Sequence, residues 1–165
     1  MKRIFDLIFS IFGLVLLSPL FVLIIFLISI TSKESVFFLQ NRVGRYGNLF
    51  KIIKFRTMKS IVGNHSTISV KGDIRVTRIG AFLRKYKLDE LPEFLNVLKG
   101  EMSTVGPRPL VVYESKLLGD YQKKRHSVKP GITGLAQVQG RLDLSLQERL
   151  YWDIEYVENY NIVLD

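Results

Sequence analysis

Within Lys87-Leu88-Asp89-Glu90-Leu91-Pro92, two carboxylates stand side by side. Adjacent like charges oppose each other's ionisation, so such a pair needs a reason to exist. From Arg42 to Lys87 there are twelve Lys and Arg residues against one acid, Asp73. An acidic pair beside that much positive charge fits a site for phosphates, a metal and a nucleophile. A plainer reading is that Asp89 and Glu90 begin a helix whose N-terminal dipole favours negative charge. These residues alone leave both readings open.

Other candidates surround the pair in sequence. Lys54-Phe55-Arg56-Thr57-Met58 either presents cations to an anion or forms a solvated basic strand. Arg84 stands five residues before Asp89, close enough to share a site with it. Arg108 lies between Pro107 and Pro109, and a planar fork on so stiff a backbone suits bidentate capture of a phosphate. A plain connecting loop is the alternative there. The glycines of Lys129-Pro130-Gly131-Ile132-Thr133-Gly134 permit close approach of main-chain amides to an anion, although ordinary turns use them too. The absence of cysteine excludes disulfides, thiolate zinc sites and cysteine nucleophiles. With only His65 and His126, a histidine-built metal centre is not expected, and His65 reads as a surface residue.

The elements that must carry these residues can be read from local patterns. Residues 36–40 and 49–56 are rich in β-branched and aromatic residues and flank turn chemistry around Gly44 and Gly47, so they predict a hairpin. Lys51, Lys54 and Arg56 belong to its polar face. Residues 60–72 lack a helical period and predict a long loop or lid. In residues 75–86, Ile79, Phe82, Leu83 and Tyr86 form an apolar stripe on a basic helix suited to an anionic membrane surface. A helix over residues 89–99 follows, with Pro92 in its first turn and Gly100 as its stop. Its dipole would help keep Asp89 ionised. Leu110, Tyr113, Leu117 and Tyr121 mark another amphipathic helix, and residues 135–141 read as extended. Ser145-Leu146-Gln147-Glu148 is a capping box that opens the last helix, with Asp153 beside its core face.

The 165 residues carry a net charge of +9, yet 47% of them are hydrophobic. Segregation reconciles the two numbers. Residues 4–30 are nearly all apolar and would form a helix about 40 Å long, enough to cross a hydrocarbon core of about 30 Å. A cleavable signal is not expected, because the run is too long and no small-residue cleavage site follows it. Ser18-Pro19 lies near its middle, where proline removes a donor and kinks the helix. Lys2 and Arg3 precede the segment, and Lys33 and the basic body follow it. Positive charge on both flanks fits a hairpin with both ends cytoplasmic better than a span, although kinked spanning helices are common. The expected organisation is a membrane hairpin over residues 1–31 and a catalytic domain over residues 32–165. Residues 31–142 hold 21 basic and 8 acidic residues, which implies phosphate-rich partners.

Taken together, these pieces resemble the small monotopic phosphoglycosyl transferases of the bacterial sugar transferase family. The resemblance rests on Ser18-Pro19, Lys54-Phe55-Arg56-Thr57-Met58, Arg75-Val76-Thr77-Arg78-Ile79-Gly80, Asp89-Glu90-Leu91-Pro92, Asn96-Val97-Leu98-Lys99-Gly100-Glu101-Met102-Ser103, Gly106-Pro107-Arg108-Pro109 and Lys129-Pro130-Gly131-Ile132-Thr133-Gly134, in that order over essentially the whole chain. It implies a mainly helical α+β enzyme on a re-entrant helix-break-helix at the cytoplasmic face of a bacterial inner membrane. Such an enzyme moves a sugar 1-phosphate from a UDP-sugar to undecaprenyl phosphate, releases UMP and initiates glycan assembly. By resemblance, Asp89 is the nucleophile, Glu90 its catalytic partner and Mg²⁺ the cofactor, with Asp89 and Glu90 as candidate metal ligands. Lys54, Arg84, Arg108 and Arg141 match positions that contact phosphates or the nucleotide, and Asp153 matches an acid near the active site. Family members commonly continue beyond Tyr156-Val157-Glu158-Asn159-Tyr160 with a further amphipathic stretch, whereas this chain stops at Asp165.

A membrane-anchored module that binds nucleic acid or anionic lipid would also explain the charge. It gives Asp89, Glu90 and Arg108 no task, so no nucleic-acid partner is expected. The sequence does not specify the sugar, the glycan or the oligomeric state, a dimer included.

Overall fold

The computed structural model describes residues 1–59, 73–140 and 144–161. The apolar N-terminal segment forms two helices, α1 (Lys2–Leu16) and α2 (Ser18–Thr31), which meet at an angle of 61°. The expected break at Ser18-Pro19 is present. Ser18 Oγ donates to the carbonyl of Val15 at 2.8 Å, which satisfies one acceptor freed where proline supplies no N–H. Among the described residues, no single helix is long and apolar enough to cross a membrane, but α1 and α2 qualify together as a bent pair.

After α2 comes the predicted hairpin, β1 (Phe37–Val43) and β2 (Leu49–Phe55), paired antiparallel with Phe38 opposite Lys54 and Arg42 opposite Phe50. This register puts Lys54 and Arg42 on one face and Lys51, expected beside Lys54, on the other, because opposed residues project to the same side and successive residues alternate. The loop expected over residues 60–72, with His65, lies outside the described residues. Helix α3 (Arg78–Lys85) is shorter than the predicted 75–86. It starts where the Thr77 side chain accepts from Gly80 N at 2.9 Å, and Val76 instead bridges to Met58. A side chain on Gly80 would collide with the carbonyl of Thr57, so glycine is what lets α3 sit directly on the end of β2.

Further along, three segments differ from what their sequence patterns predict. Residues 89–99 do not form one helix. A 3₁₀ turn, Leu88–Glu90, precedes a separate α4 (Glu93–Lys99), with Pro92 at the junction. The stretch from Leu110 to Tyr121 is split into α5 (Val112–Lys116) and α6 (Asp120–Lys123), since Gly119 has extended backbone and caps the second piece. Residues 135–139 are helical, α7 (Leu135–Gln139), rather than extended. A run of five residues is too short for periodicity to separate helix from strand. The sequence also gave no hint of a short parallel pair, β3 (Ser103–Val105) with β4 (Gly131–Thr133), whose backbones approach so closely at Gly106 and Gly131 that a Cβ on either would clash. The capping box at Ser145 and Glu148 opens α8 (Leu146–Glu158) as expected.

Three apolar clusters hold these elements together. Ile24 and Ile28 of α2 pack with Phe55 and Leu83, so the core crosses the expected boundary between residues 31 and 32. Phe50 and Ile52 pack against Val97 and Met102 beneath the hairpin, while Leu110, Leu118 and Leu150 join α8 to the α5–α6 region. Helix α1 is docked by the Phe9 ring, 6.1 Å from that of Phe94, and by a set of polar contacts. Asp6, 2% exposed, accepts from Ser103 Oγ at 2.9 Å and Thr104 N at 2.8 Å. Arg3 donates to the carbonyls of Val97 and Leu98 at the C-terminal end of α4, and Lys2 reaches the Tyr156 hydroxyl at 3.2 Å. Beyond this polar foot, Ile8, Phe12, Val15 and Leu16 are exposed.

Candidate active site

The acid pair sits in the 3₁₀ turn between α3 and α4. Lys87, just before it, adopts the left-handed region at φ 59°, a conformation costing a non-glycine residue about 1–2 kcal/mol. That reversal turns the chain sharply off α3 and directs it into the acids. Asn96 then fixes the turn and α4 against β2. Wholly buried, it accepts from Ile53 N at 3.0 Å and donates to the Lys51 carbonyl at 2.8 Å. A side chain of α4 thereby occupies the free hydrogen-bonding edge of β2, and Lys54 is held in register with the acids.

The two carboxylates then experience different surroundings. Glu90 Oε1 is 2.7 Å from Lys54 Nζ, and Arg108 grips Glu90 with both terminal nitrogens, one through Nη1 to Oε2 at 3.2 Å. Burial works against ionisation of Glu90, but Arg108 and Lys54 outweigh it and hold its carboxyl well below the usual carboxylate range. Glu93, 1% exposed, lies 3.1 Å from the same Lys54 Nζ. Burial, with the neighbouring charge of Glu90 acting in the same direction, raises its pKa against the pull of Lys54.

Asp89 has no such anchor. It is 9% exposed, and its Oδ1 is buried without a hydrogen-bond partner. Burial and the charge of Glu90 push its pKa up, opposed by Lys54, Lys87 and Arg84. This shift opposes the effect expected of a helix dipole at Asp89. The residue lies in a one-turn 3₁₀ segment ahead of α4, and desolvation dominates.

Most of the other expected site residues can be placed. Lys54 and Arg108 join Glu90 directly. Arg84 Nε donates to Thr57 Oγ1 at 2.8 Å, and its charge acts on Asp89. Asp153 lies one step away, buried against Arg125, whose Nε and Nη2 both donate to Asp153 Oδ2 at 3.0 and 2.6 Å. Arg125 in turn donates to the Arg108 carbonyl at 2.7 Å. Arg141 lies outside the described residues. Glu93, Asn96, Arg42 and Arg125 complete the surroundings of the pair, and sequence reasoning gave none of them a place there. Glu93 had the only local signal, one helical turn beyond Glu90.

No group of three or more acidic or histidine side chains among the described residues is arranged to hold a metal alone. Magnesium does not require one, since it is commonly held by one or two carboxylates together with substrate phosphates. The unpartnered Asp89 Oδ1 beside Glu90 fits that limited donor set.

The whole chain, residues 1–165, matches the bacterial sugar transferase family. It is 39% identical to the exopolysaccharide production protein ExoY of Sinorhizobium fredii, over 99% of this chain and 80% of that protein. It is 41% identical to an uncharacterized sugar transferase, EpsL, of Bacillus subtilis, over 100% of this chain and 81% of the relative. A UDP-glucose:undecaprenyl-phosphate glucose-1-phosphate transferase of Klebsiella pneumoniae is 43% identical over 99% of this chain, which spans 37% of that longer protein. The chain belongs to the bacterial sugar transferase family. Its enzymatic class is that of the phosphoglycosyl transferases.

Proposed function

We propose that the protein transfers a sugar 1-phosphate from a UDP-sugar to undecaprenyl phosphate through a phosphosugar held on Asp89 as an acyl phosphate, as a first membrane step of polysaccharide assembly. The observation that carries this reading is the contrast within the turn. Glu90 is neutralised by Lys54 and Arg108, while Asp89 keeps a buried oxygen without a partner.

In the first step an Asp89 carboxylate oxygen attacks the β-phosphorus of the UDP-sugar. The bond from that phosphorus to the bridging oxygen breaks, and UMP departs with the electron pair. In the second step an oxygen of undecaprenyl phosphate attacks the same phosphorus, giving the diphosphate-linked sugar and restoring the Asp89 carboxylate. Substrate phosphates bring negative charge to a site whose cations are already in place, so stabilisation of the developing phosphoryl charge needs little rearrangement. Arg108 presents its partly exposed guanidinium, and Lys54 and Arg84 add positive charge around Asp89. Glu90 holds Lys54 and Arg108 in position. Mg²⁺, when bound by Asp89 or Glu90 with substrate phosphates, would supply further charge neutralisation at the phosphoryl oxygens.

The bent α1–α2 pair supports a re-entrant hairpin at the cytoplasmic face of the inner membrane, which would hold the site at the depth of a lipid phosphate. Single cysteines introduced beside Lys2 and Lys33 test this without background thiols. Both should be labelled from the cytoplasmic side, and labelling from opposite sides would exclude the hairpin. For the reaction, purified protein, labelled UDP-glucose or UDP-galactose, Mg²⁺ and undecaprenyl phosphate should yield a lipid-linked sugar and UMP. Release of UDP instead would contradict phosphosugar transfer.

A further inference from the structure

The segment that presents Arg108 cannot hold itself. Pro107 and Pro109 have no N–H to donate, so the main chain around Arg108 depends on what its carbonyls accept. Four consecutive carbonyls are each taken by a different donor. The Pro107 carbonyl accepts from Gly131 N at 3.0 Å and that of Leu110 from Val43 N at 3.0 Å. Between them, the Arg108 carbonyl accepts from Arg125 Nη2 at 2.7 Å and the Pro109 carbonyl from Arg42 Nη1 at 3.1 Å.

We propose that Arg42 and Arg125 are positioning residues for the transfer reaction, clamping successive carbonyls so that the Arg108 guanidinium is pre-set beside Glu90 and the substrate phosphates. This inference rests on the phosphate-stabilising role given to Arg108 above. Each clamp has its own anchor: Arg42 Nη2 donates to Gln40 Oε1 at 2.7 Å, and Arg125, 3% exposed, is held by Asp153. Asp153 thereby acquires a task that its separation from the acid pair had obscured. The described hydrogen bonds of the two guanidiniums end on main-chain carbonyls, Gln40 and Asp153, not on Asp89 or Glu90. Placing Arg42 here is electrostatically unfavourable, since burial and then the nearby Arg108 charge lower its pKa.

A mutant cycle separates positioning from general structural support. Arg42→Met removes one clamp while keeping most of the side-chain bulk. The paired change Arg125→Met with Asp153→Leu removes the other without leaving a buried charge unpaired. Each is assayed for kcat and for KM toward UDP-sugar in the parent and in Arg108→Ala, with thermal midpoints measured alongside. In the parent, each clamp variant should lower kcat about 10- to 100-fold, the scale set by small misplacements of a catalytic group, with KM little changed. In Arg108→Ala the same changes should cost less than about twofold, because no guanidinium remains to be positioned. Equal losses in both backgrounds, or none in the parent, would overturn the inference while leaving the role of Arg108 intact. Full activity of Arg108→Ala itself would remove that role and the inference with it. Should the paired variant fail to fold, Arg42→Met alone completes the cycle.

Discussion

Asp6 and Asp89 are both buried aspartates, and they differ in what reaches them. Asp6, in the first turns of α1, accepts from a hydroxyl and a main-chain amide supplied by β3. Asp89, in the turn before α4, keeps a buried oxygen unpartnered and lies beside another carboxylate. Burying a carboxylate costs several kcal/mol unless hydrogen bonds or charges replace its water. Around Asp6 the fold supplies them, which makes Asp6 a fastener between α1 and β3. Around Asp89 the charges of Lys54, Lys87 and Arg84 offset burial only in part, and one carboxylate oxygen has no hydrogen-bond partner. The same residue type is therefore fastened in one region and, under the proposed function, left open for chemistry in the other.

Substitution should separate the two regions. Asp89→Asn should lower turnover by at least about 10³-fold, since an amide cannot act as the nucleophile. Steady-state UMP release checks this, and retention of more than a tenth of parent activity would break the contrast. Glu90→Gln should cost about 10²- to 10³-fold in kcat, because Lys54 and Arg108 lose the charge that holds them in place. Asp6→Ala should act in the opposite sense. It strands Ser103 Oγ and Thr104 N, so we expect a loss of about 2–3 kcal/mol in stability by denaturant titration, with kcat within about threefold in the folded fraction.

Smaller effects follow from the titration of Asp89. Its pKa lies above the ordinary 3.8 through burial and the charge of Glu90. Between 3.8 and that raised value the folded state binds more protons than the unfolded one, so this group makes stability fall as pH rises. Asp89→Asn lacks the penalty and should melt at a higher temperature than the parent at neutral pH, a modest gain opposite in sign to its loss of activity. Because attack requires the carboxylate, kcat/KM should also rise with pH on an acid limb displaced above the ordinary aspartate range. An unshifted limb would mean that Asp89 is better solvated in solution than its burial indicates.

Local chemistry made part of this legible from sequence. Proline forced the break at Ser18-Pro19, alternation and turn residues marked the β1–β2 hairpin, and the capping box marked α8. The acid pair, Lys54 and Arg108 were recognised because their types and surroundings are unusual along the chain itself. What escaped was set by distant partners. Asp6 is 97 residues from Ser103, and as a letter in an apolar run it looked like a mere interruption. Asn96 reveals its work only when β2 offers an edge, and Arg125 only when Asp153 and Arg108 arrive on either side. The upward shift at Asp89 escaped for the same reason, since the dipole is a local inference whereas burial depends on the whole fold.

The central claim is that Asp89 becomes covalently loaded. Protein incubated with UDP-sugar labelled in the β-phosphate and Mg²⁺, but without lipid acceptor, should release UMP and retain label that peptide mapping assigns to Asp89. Adding undecaprenyl phosphate should then discharge the label into lipid. Label on another residue, or no adduct under conditions where turnover is shown, would contradict it.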